Sequence, residues 1–573
     1  MEIRDRRDKA NGIWSSSVDT SLGWVLSGPC DLLNRSVSTN FISSQHVLKI
    51  DCAPAEAISD RDVEMINSVR KFWEIEDIGV GNSNDTIEKF QSSVKFDGKH
   101  YSVELPWKYD HGSLPDNFTL AKARLSSLVR RLKQQPERLK EYDDTIKNQE
   151  AEGIVENVAN HRTIAPENVH YIPHREVIRE DRSTTKMRIV YDGSAKRKGR
   201  PSLNDCLETG PCMLPLILDI VIRFRWNKVA LTSDIKSAFL NIRVAEKDRD
   251  YLRFLWISDI FQEEDFEIII KRFTSVLFGL NSSPFLLMST VKTHMMQYIN
   301  VNMEFVLQFL RDLYMDDSVT GTQLTDTGFD LYLFIKTSMK EGSFDLRKWN
   351  SNDAGLLKRI RDYEKMYFKT DIVEESDCKV LGIKWNTNID TLEFDIRTII
   401  KNALGVEVIT KRNVLGVVAS FYDPMGILSP ITVVLKILFS EVCVLKCDWD
   451  VKLPDDFVQK WKKALVSLLN VGVISISRYY FESYEIMDVG QICLHGFSDA
   501  SGKAMAAVVY ITAVLKNGHV IRNVVAGKTK ITPTKQANNC EKKISMPKME
   551  LMACLLLSKL VKSVVESLEP TGT

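Results

Sequence analysis

Tyr314-Met315-Asp316-Asp317 sets two adjacent carboxylates behind an apolar run, Phe305-Val306-Leu307 through Leu313. Successive strand residues point to alternate faces, so such a pair fits a tight turn between two strands, where one acid can face a metal. The same four residues would also suit a solvated hairpin turn. Asp234 supplies a third acid. It ends Val229-Ala230-Leu231-Thr232-Ser233, which reads as a short buried strand entering a helix at Lys236-Ser237-Ala238-Phe239. Between the acidic sites, Phe278-Gly279-Leu280-Asn281-Ser282-Ser283-Pro284 reads as a loop opening a Met- and Leu-rich helix. Together these are the parts of a two-metal phosphoryl-transfer site. Two divalent ions about 4 Å apart need bridging carboxylates from separate strands, and Mg²⁺ takes oxygen ligands together with substrate phosphates.

Leu231 through Phe239, Phe278 through Pro284 and Tyr314 through Asp317 resemble, in order, the palm motifs of reverse transcriptases. A wider resemblance is to Pol polyproteins of the BEL/Pao group of LTR retrotransposons. It rests on Leu22-Gly23-Trp24-Val25-Leu26-Ser27-Gly28, Tyr171-Ile172-Pro173-His174 and Ser202-Leu203-Asn204-Asp205. Leu346-Arg347-Lys348-Trp349-Asn350-Ser351-Asn352 and Tyr422-Asp423-Pro424-Met425-Gly426-Ile427-Leu428-Ser429-Pro430 extend it over nearly the whole chain.

The resemblance implies RNA-directed DNA polymerase activity. A primer 3′-hydroxyl would attack the α-phosphate of a deoxynucleotide, with RNA template, DNA primer and dNTP as partners. Asp234 and Asp316 would bridge two Mg²⁺ ions (Mn²⁺ as a substitute), and Asp317 would support them. Arg188, in Met187-Arg188-Ile189-Val190-Tyr191, matches the fingers arginine that folds over the triphosphate, a role that suits a bidentate guanidinium. Lys186 is a second candidate. Phe239, five residues after Asp234 and so about one and a half helical turns on, matches the residue that excludes a ribose hydroxyl. Gly279 and Pro284 would shape the floor under the nascent base pair, with Phe278 where retroviral relatives carry glutamine. Tyr314 and Met315 complete the expected nucleotide-binding set.

The fold implied is α+β and multidomain: a right-hand polymerase with fingers, an antiparallel-sheet palm and a thumb or connection, then a partial ribonuclease H-like α/β domain. The expected divisions are a remnant of the protease region at 1–75, a helical lead-in at 76–152, fingers at 153–226, palm at 227–395, thumb or connection at 396–490 and the ribonuclease H-like part at 491–573.

Within that frame, Leu120, Leu125, Leu128, Val129 and Leu132 mark one helical stripe, Pro136 interrupts, and Leu139, Tyr142 and Ile146 mark a second. Strands are expected near 169–178 and 186–192. A hairpin is expected from Trp385-Asn386-Thr387-Asn388 to Leu392 and Phe394, matching the family's primer grip. Pro424, Pro430 and Pro454 punctuate a helical region at 400–490.

In the last segment Asp499 follows one apolar strand, Ala506 to Tyr510 forms a second, and Pro547 opens a helix with Glu550 in its first turn and Leu551, Leu555 and Leu556 on its apolar face. This is similar to ribonuclease H, with Asp499 and Glu550 as two of about four carboxylates needed around two metals. No later Asp stands in the required setting, so this domain is expected to be cut short and inactive.

The 573 residues carry 76 Lys and Arg against 76 Asp and Glu, a net charge of zero. Nucleic-acid affinity must therefore come from local charge, and Arg182, Lys186, Arg188, Lys196, Arg197, Lys198 and Arg200 form one such stretch. Ten cysteines show no framework. Cys443 and Cys447, and likewise His170 and His174, lack the partners of a zinc site and read as structural. The charged start, Met1-Glu2-Ile3-Arg4-Asp5-Arg6-Arg7, has no apolar core after it, so no signal peptide is expected. No apolar stretch approaches membrane-spanning length. The expected setting is cytoplasmic, in a virus-like particle with access to the nucleus and to other products of the polyprotein.

Protease chemistry is not expected. Asp19-Thr20-Ser21 lacks the needed glycine, and Asp326-Thr327-Gly328 reads as a helix N-cap. The competing reading is a decayed retroelement fragment that binds nucleic acid without catalysis. Intact Asp234, Asp316, Asp317 and Phe239 speak against it.

Overall fold

A computed structural model of the chain describes residues 16–20, 23–27, 30–31, 83–110, 112–158, 168–178, 187–261, 267–368, 377–445, 447–532 and 544–568. The helical stripes fold as their spacing requires. Helix Phe118–Lys133 buries Ala121, Leu125, Leu128, Val129 and Leu132, and Pro136 opens the next helix, Pro136–Ala151, which buries Leu139, Tyr142 and Ile146. Proline suits that first position because its missing N–H would have had no intrahelical partner. Strands His174–Ile178 and Met187–Tyr191 pair as an antiparallel hairpin.

The central sheet has four antiparallel strands in the order Leu313–Tyr314, Asp317–Thr322, Val229–Ile235, Leu346–Ser351. Its two faces serve different cores. Leu231 and Ile235 pack with Phe309, Ile335 and Leu346, whereas Ala230 joins Val319, Phe224 and Trp385. A strand covered on both faces reads as a nearly unbroken apolar run, which is how Val229–Ser233 looked in the sequence. Full burial of one such Leu or Phe contributes about 1.5–3 kcal/mol.

Three expectations around this sheet are corrected. The run before the acidic tetrapeptide is a helix, Met303–Asp312, and only Leu313–Tyr314 is extended. The Asn302 side chain caps that helix at the Phe305 amide, 3.0 Å away, and Val306 and Phe309 are buried at helical spacing. After Asp234 the chain makes no α-helix. Hydrogen bonds from the Ile235 N–H to the Asp316 carbonyl (2.7 Å) and from the Lys236 N–H to the Asp345 carbonyl (2.8 Å) keep it extended. It then turns through Ser237, at φ 52°, into a 3₁₀ turn, Ala238–Asn241. The spacing argument from Asp234 to Phe239 therefore does not apply. Asp326 is not an N-cap either: helix Thr325–Glu341 starts before it, and its exposed carboxylate pairs with Arg359 at 2.6 Å.

A second sheet, Asp377–Val380, Ile383–Asn386, Thr391–Asp395 and Val473–Ser477, is antiparallel throughout and contains the expected hairpin. Helices Arg397–Leu404, Lys411–Ala419, Ser429–Val444 and Asp455–Leu468 pack on it around Trp385, Leu435, Trp461 and Leu465.

The third sheet runs Val520–Ile531, Ala504–Leu515, Val489–Ala500 and Cys30–Asp31, with helix Met546–Leu568 against it. That helix buries Met549, Ala553, Leu556 and Leu560, so Leu556 lies on the apolar face as expected, Leu555 at its edge, and Leu551, 48% exposed, off it. The edge strand Val520–Ile531 is tied to earlier chain. Gly527 N donates to the Met425 carbonyl (2.8 Å), Arg225 Nη1 donates to the Val524 carbonyl (2.7 Å), and Asn523 Nδ2 donates to the Tyr480 carbonyl (2.8 Å). Gly426, at φ 74°, allows this approach, since a Cβ there would stand 1.7 Å from the Gly527 carbonyl oxygen.

Strands Ser16–Thr20 and Gly23–Ser27 pair with each other. Apart from these strands and Cys30–Asp31, residues 1–75, where the protease remnant was expected, lie outside the described residues. No helix among the described residues is long and apolar enough to cross a membrane.

Candidate active site

Backbone register carries the three acids to one end of two adjacent strands. Asp317 and Asp234 are directly opposed in the antiparallel register, and Tyr314 opposes Asp317 across a two-residue turn of Met315 and Asp316. Met315 has φ 56°, a conformation that a non-glycine residue holds at a cost of about 1–3 kcal/mol and that concentrates at functional sites. The turn is braced from both sides. Tyr314 packs on the core around Trp385, and Met315 on the core around Leu231.

Asp234 is not bare. Arg347 Nε stands 3.1 Å from its Oδ1 and Lys348 Nζ stands 2.9 Å from its Oδ2. Carboxylate donors are the right type for a hard divalent cation, and the Asp234 carboxylate already gathers two positive charges. Among the described residues, no group of three or more His, Cys, Asp or Glu side chains forms a ready-made metal cluster. The acids thus share a strand end by register, with Asp234 committed to two cations.

The glycine loop is built against this site. Gly279 has φ 107°, and a Cβ on it would stand 2.1 Å from the Tyr191 carbonyl oxygen. Asn204 locks the loop. Its Nδ2 donates to the Gly279 carbonyl (3.0 Å), and its Oδ1 accepts from the Asn281 amide (3.0 Å). Pro284 sits in the first turn of helix Ser283–Met295. Phe239 is buried beneath Phe278, the rings meeting edge to face at 4.5 Å, and Phe278 is the exposed one of the pair. Phe239, which the resemblance would set against the sugar, is thus the inner ring of this pair.

Arg188 is exposed on its strand, opposite Val177. Lys186 and Arg182 lie outside the described residues. Of the remaining basic stretch, Arg197, Lys198 and Arg200 are exposed, and Lys196 pairs with Asp205 at 2.7 Å. That contact, with the Ser202 amide, holds the Asp205 carboxyl well below the usual carboxylate range. His174 is fully enclosed between Tyr142 and the Leu255 carbonyl, and burial depresses it to about 4. His170 bonds to the Pro115 carbonyl. Cys443 and Cys447 are free thiols.

In the third sheet Asp499 and Glu550 are both exposed. Ser498 contacts Cys554 of the packed helix, and Ala500 and its cross-strand partner Met505 are buried. Alternation therefore puts Asp499 on the opposite face, with Phe497 and Tyr510, whose rings lie 6.1 Å apart. Neither acid belongs to a metal-ligating group of three among the described residues.

One part of the chain, from the second-sheet helices onward, matches a family model. Residues 410–572 match the Pao retrotransposon-like RNaseH-like domain. The match takes in the helices from Lys411 as well as the sheet, in keeping with the Met425–Gly527 contact between them. The chain is consistent with a Pao/BEL-type Pol polyprotein. Among solved structures, the foamy viral protease-reverse transcriptase dRH in complex with double-stranded DNA is 13% identical at a TM-score of 0.46, over 74% of this chain and 60% of that one. The foamy viral protease-reverse transcriptase with RNA/DNA hybrid is 13% identical at 0.45, over 75% of this chain and 47% of that one. The chain thus spans 60% and 47% of the lengths of these two. No curated protein matches the sequence.

Asn204, Arg347 and Lys348 were missed as functional residues. Each lies inside a segment that carried the Pao resemblance, but nothing in the residue types alone assigned them a partner.

Proposed function

We propose that this chain is an RNA-directed DNA polymerase of a Pao-type retrotransposon, adding dNTP to a primer 3′-hydroxyl on an RNA template. The observation that carries the reading is the direct opposition of Asp234 and Asp317 beside a strained turn that presents Asp316. Asp234 and Asp316 would hold two Mg²⁺ ions with Asp317 in support, and the bound ions would supply charge stabilisation at the attacking and leaving oxygens. Arg188, with Lys186, would grip triphosphate oxygens. The Gly279 backbone, lacking a side chain, would lie close under the base pair, with Pro284 fixing the helix behind it. Phe278 and Phe239 would form a two-ring wall against the sugar, beside Tyr314 and Met315. The 3′-oxygen forms the new bond to the α-phosphorus as pyrophosphate leaves.

In this reading 153–226 acts as fingers, 227–395 as palm and 396–490 as thumb or connection. Asp499 lies on the sheet face away from the helix that carries Glu550, so the two acids do not share a ribonuclease H centre. RNA, DNA, dNTP and other products of the polyprotein are the partners, in a cytoplasmic virus-like particle.

The test is primer extension on an RNA template with Mg²⁺, comparing the chain with Asp316→Asn. Loss of extension in the variant, with template still bound, supports the reading. The commitment of Asp234 to two cations also suits a nucleic-acid binder without catalysis, and template binding without extension by either protein would select that alternative.

A further inference from the structure

Arg347 lies directly opposite Asp234 in the register of two antiparallel strands. In a regular strand the next residue would point to the other face of the sheet. Lys348 does not. The pairing slips between Arg347 and Asn350, and Lys348 adopts φ 54°. Such a bulge sets extra residues against one partner position and re-aims side chains, and here it brings a second cation round to the same carboxylate. Arg347 Nε takes Oδ1 and Lys348 Nζ takes Oδ2. The cations are 42% and 45% exposed, against 21% for Asp234. Ion pairs this open to solvent are weak and exchange readily.

We propose that Arg347 and Lys348 form a cation latch on Asp234, which a divalent ion must displace to enter the site. The proposal rests on the two-metal reading above and adds its regulation. A bulge that turns a lysine onto an acid already paired with arginine costs backbone strain and neutralises one of the two carboxylates that would bridge the metals. At low divalent concentration the site stays closed by its own side chains. Metal entry then releases two positive charges at the mouth of a site that receives an anionic substrate.

The test is Mn²⁺ titration of the full chain without nucleic acid, followed by electron paramagnetic resonance at constant ionic strength. Lys348→Met should bind Mn²⁺ roughly threefold to fivefold more tightly than the parent chain, the scale of a solvent-exposed ion pair. Arg347→Gln should act in the same direction. Lys236→Met removes a nearby exposed lysine that does not touch Asp234, and should change affinity less. In an Asp234→Asn background, Lys348→Met should have no effect. Equal or weaker Mn²⁺ binding by both latch variants, with melting temperatures unchanged, overturns the latch. So does an equal gain from Lys236→Met. If the parent, Asp234→Asn and Asp316→Asn all titrate alike, the two-metal reading itself falls and takes the latch with it.

Discussion

Arg478 and Asp390 are joined by two hydrogen bonds, Nε to Oδ1 at 2.6 Å and Nη2 to Oδ2 at 2.7 Å, with the guanidinium fully buried. The remaining N–H groups donate to the carbonyls of Phe224, Asn227 and Lys228. Those carbonyls belong to the turn that launches the Asp234 strand. Asp390 also accepts from Trp385 and from Asn352, and Asn352 in turn accepts from the Ala230 amide. A residue of the Pao-like segment thus fixes the base of the strand that ends on the candidate active site.

Arg478→Met should cost about 3–5 kcal/mol, because it strands a largely enclosed carboxylate and three carbonyls. Arg478→Lys, which keeps the charge but loses the fork, should fall between the two. Urea unfolding measures both. Equal stability in all three proteins would show the clamp to be dispensable.

Gly279→Ala places a methyl group on a φ of 107° and against the Tyr191 carbonyl. The conformation alone costs about 1–3 kcal/mol. The expected result is a lower melting temperature together with a raised KM for dNTP, since the loop must move off Tyr191.

Phe278→Ala and Phe239→Val separate the outer ring from the inner one. Loss of buried Phe239 volume should destabilise by about 2–3 kcal/mol, while the exposed Phe278 should cost little. Both should relax discrimination against ribonucleotides, read as the ratio of kcat/KM for dNTP and rNTP. Unchanged ratios in both variants would remove the aromatic wall from the site.

Acid should destabilise the chain through His174. Its folded value of about 4 lies below the ordinary 6.5 because burial disfavours the imidazolium. Between those values the unfolded chain binds more protons, so stability is full above pH 6.5 and falls as pH drops toward 4. The span corresponds to about 3 kcal/mol at most. Urea unfolding across pH 7 to 4 should show the decline, and His174→Gln should flatten it.

The parts of this fold that were legible in the sequence are those set by local periodicity. Pro136 divided two helices, Trp385 to Phe394 formed its hairpin, and Val229–Ile235 ran as a doubly covered strand. The errors came where a local pattern admitted two readings. Phe305 to Leu313 is apolar enough for a strand, and the Asn302 cap decided for helix. Lys236 to Phe239 read as the start of a helix, whereas backbone hydrogen bonds to the Asp316 and Asp345 carbonyls keep the chain extended there. The site's supports were illegible for a different reason. Asn204 reaches a loop 75 residues away, Arg347 and Lys348 reach back more than 110, and Arg478 about 250. Contacts of that span leave no trace in spacing.

The register of the Asp317–Asp234 pair implies a constraint on length rather than on identity. Side chains on a strand alternate with a period of two, so a one-residue slip sends every one to the other face. Inserting or deleting a single residue between Ser318 and Thr322 would break the opposition of Asp317 and Asp234 while leaving Tyr314 to Asp317 in place. In sequences that share this strand pair, an indel in Ser318 to Thr322 should therefore disrupt the candidate site more surely than a conservative substitution does.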